Sequence, residues 1–345
     1  MANSLVSLLD VTKRKGNDQV VGLLEDTLTY APELGAIMGR PINGTQYKTV
    51  HRTLPTVAFR KANDGSDTVK SNYRQLLKEC ALIDGQIQLD KAVADAEASS
   101  SPGPEATIED LKYNEAQGVV MATYITVGAQ MYYGTSSDAN GFAGINAVTS
   151  SLNAAKNTNP VVIGAGGTTA SVQSSAYLIW ENLQGAHFIF GNNSGFNMMP
   201  EWRIQQVQGN NSKPMTAYVN NLQGWIGFAI NHPLSVGRIG NINLATDNKP
   251  LTDALVAKAL SYIPLQMRAE YNANLNGAGP SKFGPGLKLL MNPIVAYGLQ
   301  ASRTATTDRA GGVDGAQAFP KLPSESNGIP IILTDSIVNT EAVLT

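Results

Sequence analysis

The run from Glu105 to Tyr133 is the longest stretch that can form one continuous helix, and it limits the folds open to this chain more than any other feature. Pro104 precedes it. Thr107, with Asp110 three residues on, resembles a capping box, in which side chains satisfy the free amides of a first helical turn. Ile108, Leu111, Val119 and Ala122 share one helical face and Asp110, Asn114 and Gln117 the opposite one, with Glu115 a charged residue among the apolar positions. From Val119 to Tyr133 the residues are apolar or small nearly all round, which predicts passage from a solvated edge into contact on several sides, with Val120 packed. At 1.5 Å per residue such a helix reaches about 43 Å, longer than most single domains need, so it is expected to bridge domains as a spine. The rival reading is a strand over Val119 to Val127, from its β-branched residues and the flanking Gly118 and Gly128. Gly134 and the cluster from Ser136 to Gly141 end the run on either reading.

A chain of 345 residues has room for two or three domains around this spine. With 43% hydrophobic and only 15% charged residues, its surface must rely on Asn, Gln, Ser, Thr and Gly, and such a surface is more often paired than free. A net charge of -2 makes no global case for nucleic-acid binding; the one dense basic run is Lys13, Arg14 and Lys15, which reads as either a weak, salt-sensitive contact or a solvated tail. Cys80 is alone, so neither a disulfide within the chain nor a cysteine metal site can be built. At the N-terminus the apolar residues precede the basic ones, the reverse of a signal peptide, and no apolar run reaches membrane length. The expectation is a soluble protein made in a cytoplasm, with no membrane contact.

Taken in order, Met1 to Asn17 reads as an arm and Asp18 to Leu28 as a short helix. From Gln46 the pattern becomes strand-like through Tyr47, Thr49, Arg52, Leu54, Val57 and Phe59, turns at Asn63, Asp64 and Gly65, and runs back from Thr68 to Tyr73. This hairpin has too few apolar residues for a core of its own and needs something to lie on, such as a neighbouring subunit. Cys80 to Ile83 and Gln86 to Leu89 read as a tight hairpin about Asp84-Gly85, and Ala98 to Gly103 as a loop into the spine. Beyond the spine, strands are expected at 161–163, 176–180, 186–190, 203–207, 215–220, 224–229, 287–291 and 329–333. Thr252 to Ile263 is an amphipathic helix capped by Thr252 and stopped by Pro264, Pro293 to Gln300 a short helix, and Thr304 to Asp314 a loop by composition.

Candidate chemistry is thin. Gly164-Ala165-Gly166-Gly167 follows a strand but lacks the Lys-Ser/Thr of a phosphate loop, so a turn is the better reading. His51, His187 and His232 sit singly, without a second ligand at metal spacing; His187 is the best placed, and its loss is expected to be mild. There is no G-x-S-x-G elbow, Ser194-Gly195 reads as a turn, and the acid pairs Glu25-Asp26 and Glu109-Asp110 sit near helix ends where solvated charge is ordinary. No catalytic, cofactor-binding or metal residue is nominated, and no enzyme activity or cofactor is expected.

Several segments, in this order, resemble the major capsid proteins of tailed bacteriophages with the Hong Kong 97-like fold. KTVHRTLPTVAFRKANDG (48–65) looks like the extended loop, QLLKECALIDGQIQLDKAVADA (75–96) like the strand pair before the spine, and MYYGTSSDANGFAGI (131–145) like the end of that helix and its Phe-x-Gly turn. SVQSSAYLIWENLQGAHFIFG (171–191) and NGIPIILTDSIVNTEAV (327–343) resemble an inner strand with its glycine-rich loop and the closing strands. The resemblance implies an α+β capsid fold divided into an N-terminal arm and short helix (1–45), an extended hairpin loop (46–75), a peripheral domain with the spine helix 105–133 (76–140), an axial domain (141–320) and a return to the peripheral domain (321–345). It further implies self-assembly into hexamers and pentamers of an icosahedral head around double-stranded DNA, in the bacterial cytoplasm. Scaffolding, portal and decoration proteins would be partners, and packaged DNA a non-specific contact. Because the chain shows no evident scaffolding segment, a scaffold would be a separate or already cleaved protein. The alternative is a β-type binding protein or enzyme that uses the Gly/Asn-rich half as its binding face, which would form monomers or small oligomers rather than shells.

Overall fold

The computed structural model describes residues 27–99, 104–153, 160–209, 212–264, 286–303 and 322–345. The arm with Lys13 to Lys15, the helix expected from Asp18 and the loop expected at 304–314 lie outside the described residues.

Entry into the fold is by a strap, residues 30–44, carrying the one-turn helix Glu33–Ala36 (α1) and the strand Gly39–Pro41 (β1). The hairpin strands Gln46–Thr53 (β2) and Asn72–Glu79 (β3) pair antiparallel from Gln46↔Glu79 to Thr53↔Asn72 and form a sheet of their own. Between them the chain is unpaired, so Val57 and Phe59 are not in a strand as expected. Pro55 has no amide to give to a ladder, and the tip turns at Asn63, in left-handed conformation with φ 69°.

Ala81–Asp90 (β4) is one strand, paired with the 17-residue strand Pro214–Ile230 (β10) from Ala81↔Ile226 to Asp90↔Ala217. This corrects the expected hairpin about Asp84-Gly85. Gly85 lies under the spine, where a Cβ would come 3.0 Å from Val119 Cγ1, so the glycine gives room to a helix rather than a bend to a turn. Two expected strands, 215–220 and 224–229, are likewise merged into β10, which also pairs with Asn197–Met198 (β8), Arg203–Gln208 (β9) and Ala186–Phe190 (β7).

Lys91–Ser99 (α2) is a helix that the sequence reading missed, started by Asp90, whose carboxylate accepts from Ala92 N at 2.9 Å. The spine follows as Pro104–Tyr133 (α3), a helix and not the rival strand. Thr107 therefore lies inside the helix rather than at its cap. The spine ends at Gly134, which has φ +56° and would place a Cβ 2.3 Å from Gly144 N, so a side chain is excluded twice over. Leu111, Thr123, Val127, Met131 and Tyr132 are buried; Val120 is half-buried and Met121, Ala122, Tyr124 and Thr126 are exposed. The expected enclosure on several sides is met from Val127 to Tyr133, where no residue is exposed, and not from Met121 to Thr126, where the helix buries one face only.

The rest of the sheet is built on Ser174–Glu181 (β6), buried along its whole length. Its neighbours are Val236–Ile242 (β11) and Gly286–Met291 (β12), both antiparallel, with Val161–Gly164 (β5) parallel to β11. Ile329–Leu333 (β14) runs parallel to β12, and Glu325–Ser326 (β13) closes that side. Alternation along β6 serves two cores. Ala176, Leu178 and Trp180 join the helices Asp253–Tyr262 (α4) and Pro293–Ser302 (α5), while Tyr177 and Ile179 face the end of the spine with Phe188 and Phe228. Thr252 caps α4, accepting from Leu255 N at 3.2 Å, and α5 opens on Pro293 behind an Asn292 cap, as their sequences require.

Long-range polar keys fix the strap and the C-terminal segment to these cores. Lys288 on β12 donates to Ala36 O and pairs with Glu181 on β6, both side chains buried, and the other Glu181 oxygen accepts from the half-buried Met38 N. Arg238 pairs with Glu341 at 2.9 Å and bonds Thr149 O and Ser175, while Tyr133 at the spine's end donates to Glu341 at 2.8 Å.

Candidate functional site

The Gly164–Gly167 loop is saturated from within. Ala165 N and Gly167 N donate to Gly240 O and Asn241 O, and Thr168 N and Thr169 N donate to Asp247 Oδ2 at 2.8 and 3.0 Å. The Thr169 hydroxyl donates to Oδ1 at 2.5 Å, and these donors, that hydroxyl first, hold the Asp247 carboxyl below its usual range. These amides already bind backbone carbonyls and a carboxylate of the same chain, so this loop is a turn.

The histidines do not converge on a metal. His187 is fully buried, its Nδ1–H donating to Asn182 O at 3.2 Å and its ring edge-on to Tyr47 at 5.6 Å, and burial lowers its pKa. It is a packed group. His51 and His232 line one cleft of about 660 Å³ between the hairpin root and the sheet, with Arg52, Trp180 and Asn231. His232 Nδ1 accepts from Leu234 N at 3.1 Å, and burial, then the nearby His51 and Arg74 charges, lowers its pKa. The cleft lining includes no carboxylate. Among the described residues no group of three His, Cys, Asp or Glu is placed to hold a metal. Cys80 is buried, which pushes its thiol up to about 11 and leaves it unreactive near neutral pH. No described helix is long and apolar enough to cross a membrane.

The chain's largest chemical opportunity is instead its surface. On the hairpin Val50, Leu54, Val57, Phe59, Val69, Tyr73 and Leu77 are exposed, Phe59 completely, whereas isolated soluble surfaces bury such residues or scatter them singly. Residues 46–79 also hold seven Lys and Arg against three Asp and Glu, and residues 81–118 hold eight acids against two bases. On the spine, Asp110, Tyr113, Gln117, Met121 and Tyr124 form one outward stripe, each exposed, spaced three and four residues apart. The signal that could have located this stripe was the helical period of the sequence itself, but periodicity alone cannot say which apolar face a single chain leaves open.

Residues 15–345 match the model of the family described as Major capsid protein GP7. A search among curated proteins finds no significant match. Among solved structures, a chain of the near-atomic cryo-EM structure of bacteriophage Epsilon15 aligns over 100% of this chain and 99% of its own, at 20% identity and a TM-score of 0.62. The capsid asymmetric unit of cyanophage A-1(L) aligns over 66% of this chain and 97% of its own at 10% identity, with a TM-score of 0.44. The capsid of Myoviridae phage XM1 aligns over 64% and 95% at 9% identity, with a TM-score of 0.44.

Proposed function

Because the chain belongs to the GP7 family of major capsid proteins and has the mixed helix-and-sheet Hong Kong 97-like fold, it is a structural protein of a phage shell, and we propose that it tiles that shell through its hairpin. In this reading the hairpin, residues 46–75, lies on an adjacent copy in hexamers and pentamers of an icosahedral head enclosing double-stranded DNA. The peripheral domain spans 76–140 and 321–345, and the axial domain 141–320. A single sheet passes through both parts, so each tile would move largely as one piece. The observation that carries the reading is the hairpin's exposed apolar set on a two-stranded sheet without a core of its own. Its positive balance, against the acidic stretch 81–118, adds attraction between copies. A shell closes because each subunit makes several interfaces at once, so each contact can be weak while the whole is stable.

Scaffolding, portal and decoration proteins are the further partners of such a tile, with packaged DNA touched non-specifically and assembly in the host cytoplasm. No catalytic residue, cofactor or metal takes part: the tile's work is mechanical. Deleting Lys61 to Thr68 tests the hairpin's role. The expected product is a soluble, folded chain that does not assemble, and normal shells from the deletion would overturn the reading.

A further inference from the structure

Glu33, on the one-turn helix α1 of the strap, is fully buried with no counter-charge. Thr334 donates its hydroxyl to Oε1. Oε2 has no hydrogen-bond partner, and neither do the hydroxyls of Tyr132 on the spine and Ser336 after β14, although both face the same carboxyl. All three side chains are more than nine-tenths buried. Gly128, one turn before Tyr132, makes the space: a Cβ there would meet Ser336 Oγ at 2.4 Å and Glu33 Oε2 at 2.8 Å. Three elements remote in sequence therefore meet at one carboxyl.

The charged and titratable groups around it are few. Tyr132 faces it from the spine. Asp335, between Thr334 and Ser336, is engaged with the strap backbone, accepting from Tyr30 N at 2.9 Å. Lys288, which holds the strap at Ala36, is committed to Glu181 and Ala36 O. Among the described residues no Lys, Arg or His acts on Glu33. A buried carboxylate without a cation is costly and is relieved by taking up a proton.

We propose that Glu33 is a buried acid latch, which in its neutral form seats the strap between the spine and the C-terminal segment and on ionising releases it. A neutral carboxyl supplies what the ionised one lacks, an O–H to donate to the unpartnered Ser336 oxygen. Burial is the largest influence on Glu33 and raises its pKa above the ordinary 4.5. Seating is therefore complete below the ordinary value and is lost as pH rises through the raised one. The strap runs directly into β2, so its release would free the hairpin root.

Hydrogen exchange of residues 30–44 in the full chain, corrected for intrinsic rates, tests this between about pH 5 and pH 8. Protection in the wild type should fall with rising pH, about tenfold for each unit by which Glu33 is raised, while E33Q should stay protected throughout. Y132F removes a donor that favours the ionised form, so it should move the midpoint to higher pH, which a merely structural role would not do. Protection independent of pH in the wild type, or a Y132F midpoint unmoved or lowered, would overturn the latch.

Discussion

Replacing Lys288 by Met asks whether the strap is held by a buried charge pair rather than by apolar contact. Lys288 and Glu181 are fully buried, and between them they bind Ala36 O and Met38 N, the backbone on either side of Ile37. Removing the cation alone strands the Glu181 carboxylate, a change that costs about 3–5 kcal/mol in comparable buried pairs. Adding E181Q removes the stranded charge and keeps an acceptor for Met38 N, leaving Ala36 O as the orphan, worth about 1–3 kcal/mol. The double variant should therefore be more stable than K288M alone, a non-additivity that contacts through independent sites cannot give. Urea midpoints of the unassembled chain, with proteolysis of the strap as a local readout, measure both. A K288M cost below about 1 kcal/mol, or a double variant equal to the sum of the singles, would refute the reasoning.

Gly134→Ala should destabilise the chain by more than about 1 kcal/mol, since it meets both a left-handed φ and the Gly144 backbone, and a denaturant midpoint checks it. Met131→Ala, at a fully buried spine position, should cost about 2–5 kcal/mol and lower shell yield, whereas Met121→Ala on the outward stripe should leave the unassembled chain's stability within about 0.5 kcal/mol. Replacing Lys13, Arg14 and Lys15 together by Gln should change how assembly or packaging responds to salt, read by sedimentation and DNA content, because the lost contribution is electrostatic.

What was legible in the sequence is what local chemistry decides. The spine, its glycine stop, the Thr252 cap and the proline start of α5 each depend on residues a few positions apart. Asp84-Gly85 misled for the same reason: the dipeptide favours a tight turn, but Gly85 is spent on Val119, which approaches from the spine. The sequence reading also broke β10 between Asn220 and Gly224, though in the fold the strand runs on, with Gly224 against Phe196, where a Cβ would be 2.8 Å from the ring. Helix α2 had a usable signal in Asp90 and the Lys91–Asp95 pair one turn apart, which was passed over. The buried polar keys had none, since Lys288 meets Glu181 and Ala36, and Glu33 meets Thr334, across 107, 252 and 301 residues of chain. As for function, the proposal that the hairpin lies on a neighbour starts from the sequence, because a two-stranded ribbon has no core of its own.

Electron micrographs of the purified chain, wild type beside the Lys61 to Thr68 deletion, test the central claim most directly. Closed shells or capsomers from the first and dispersed, folded subunits from the second are the expected pair of images. Dispersed monomers or small oligomers from the wild type, under conditions spanning low and high salt, would contradict it.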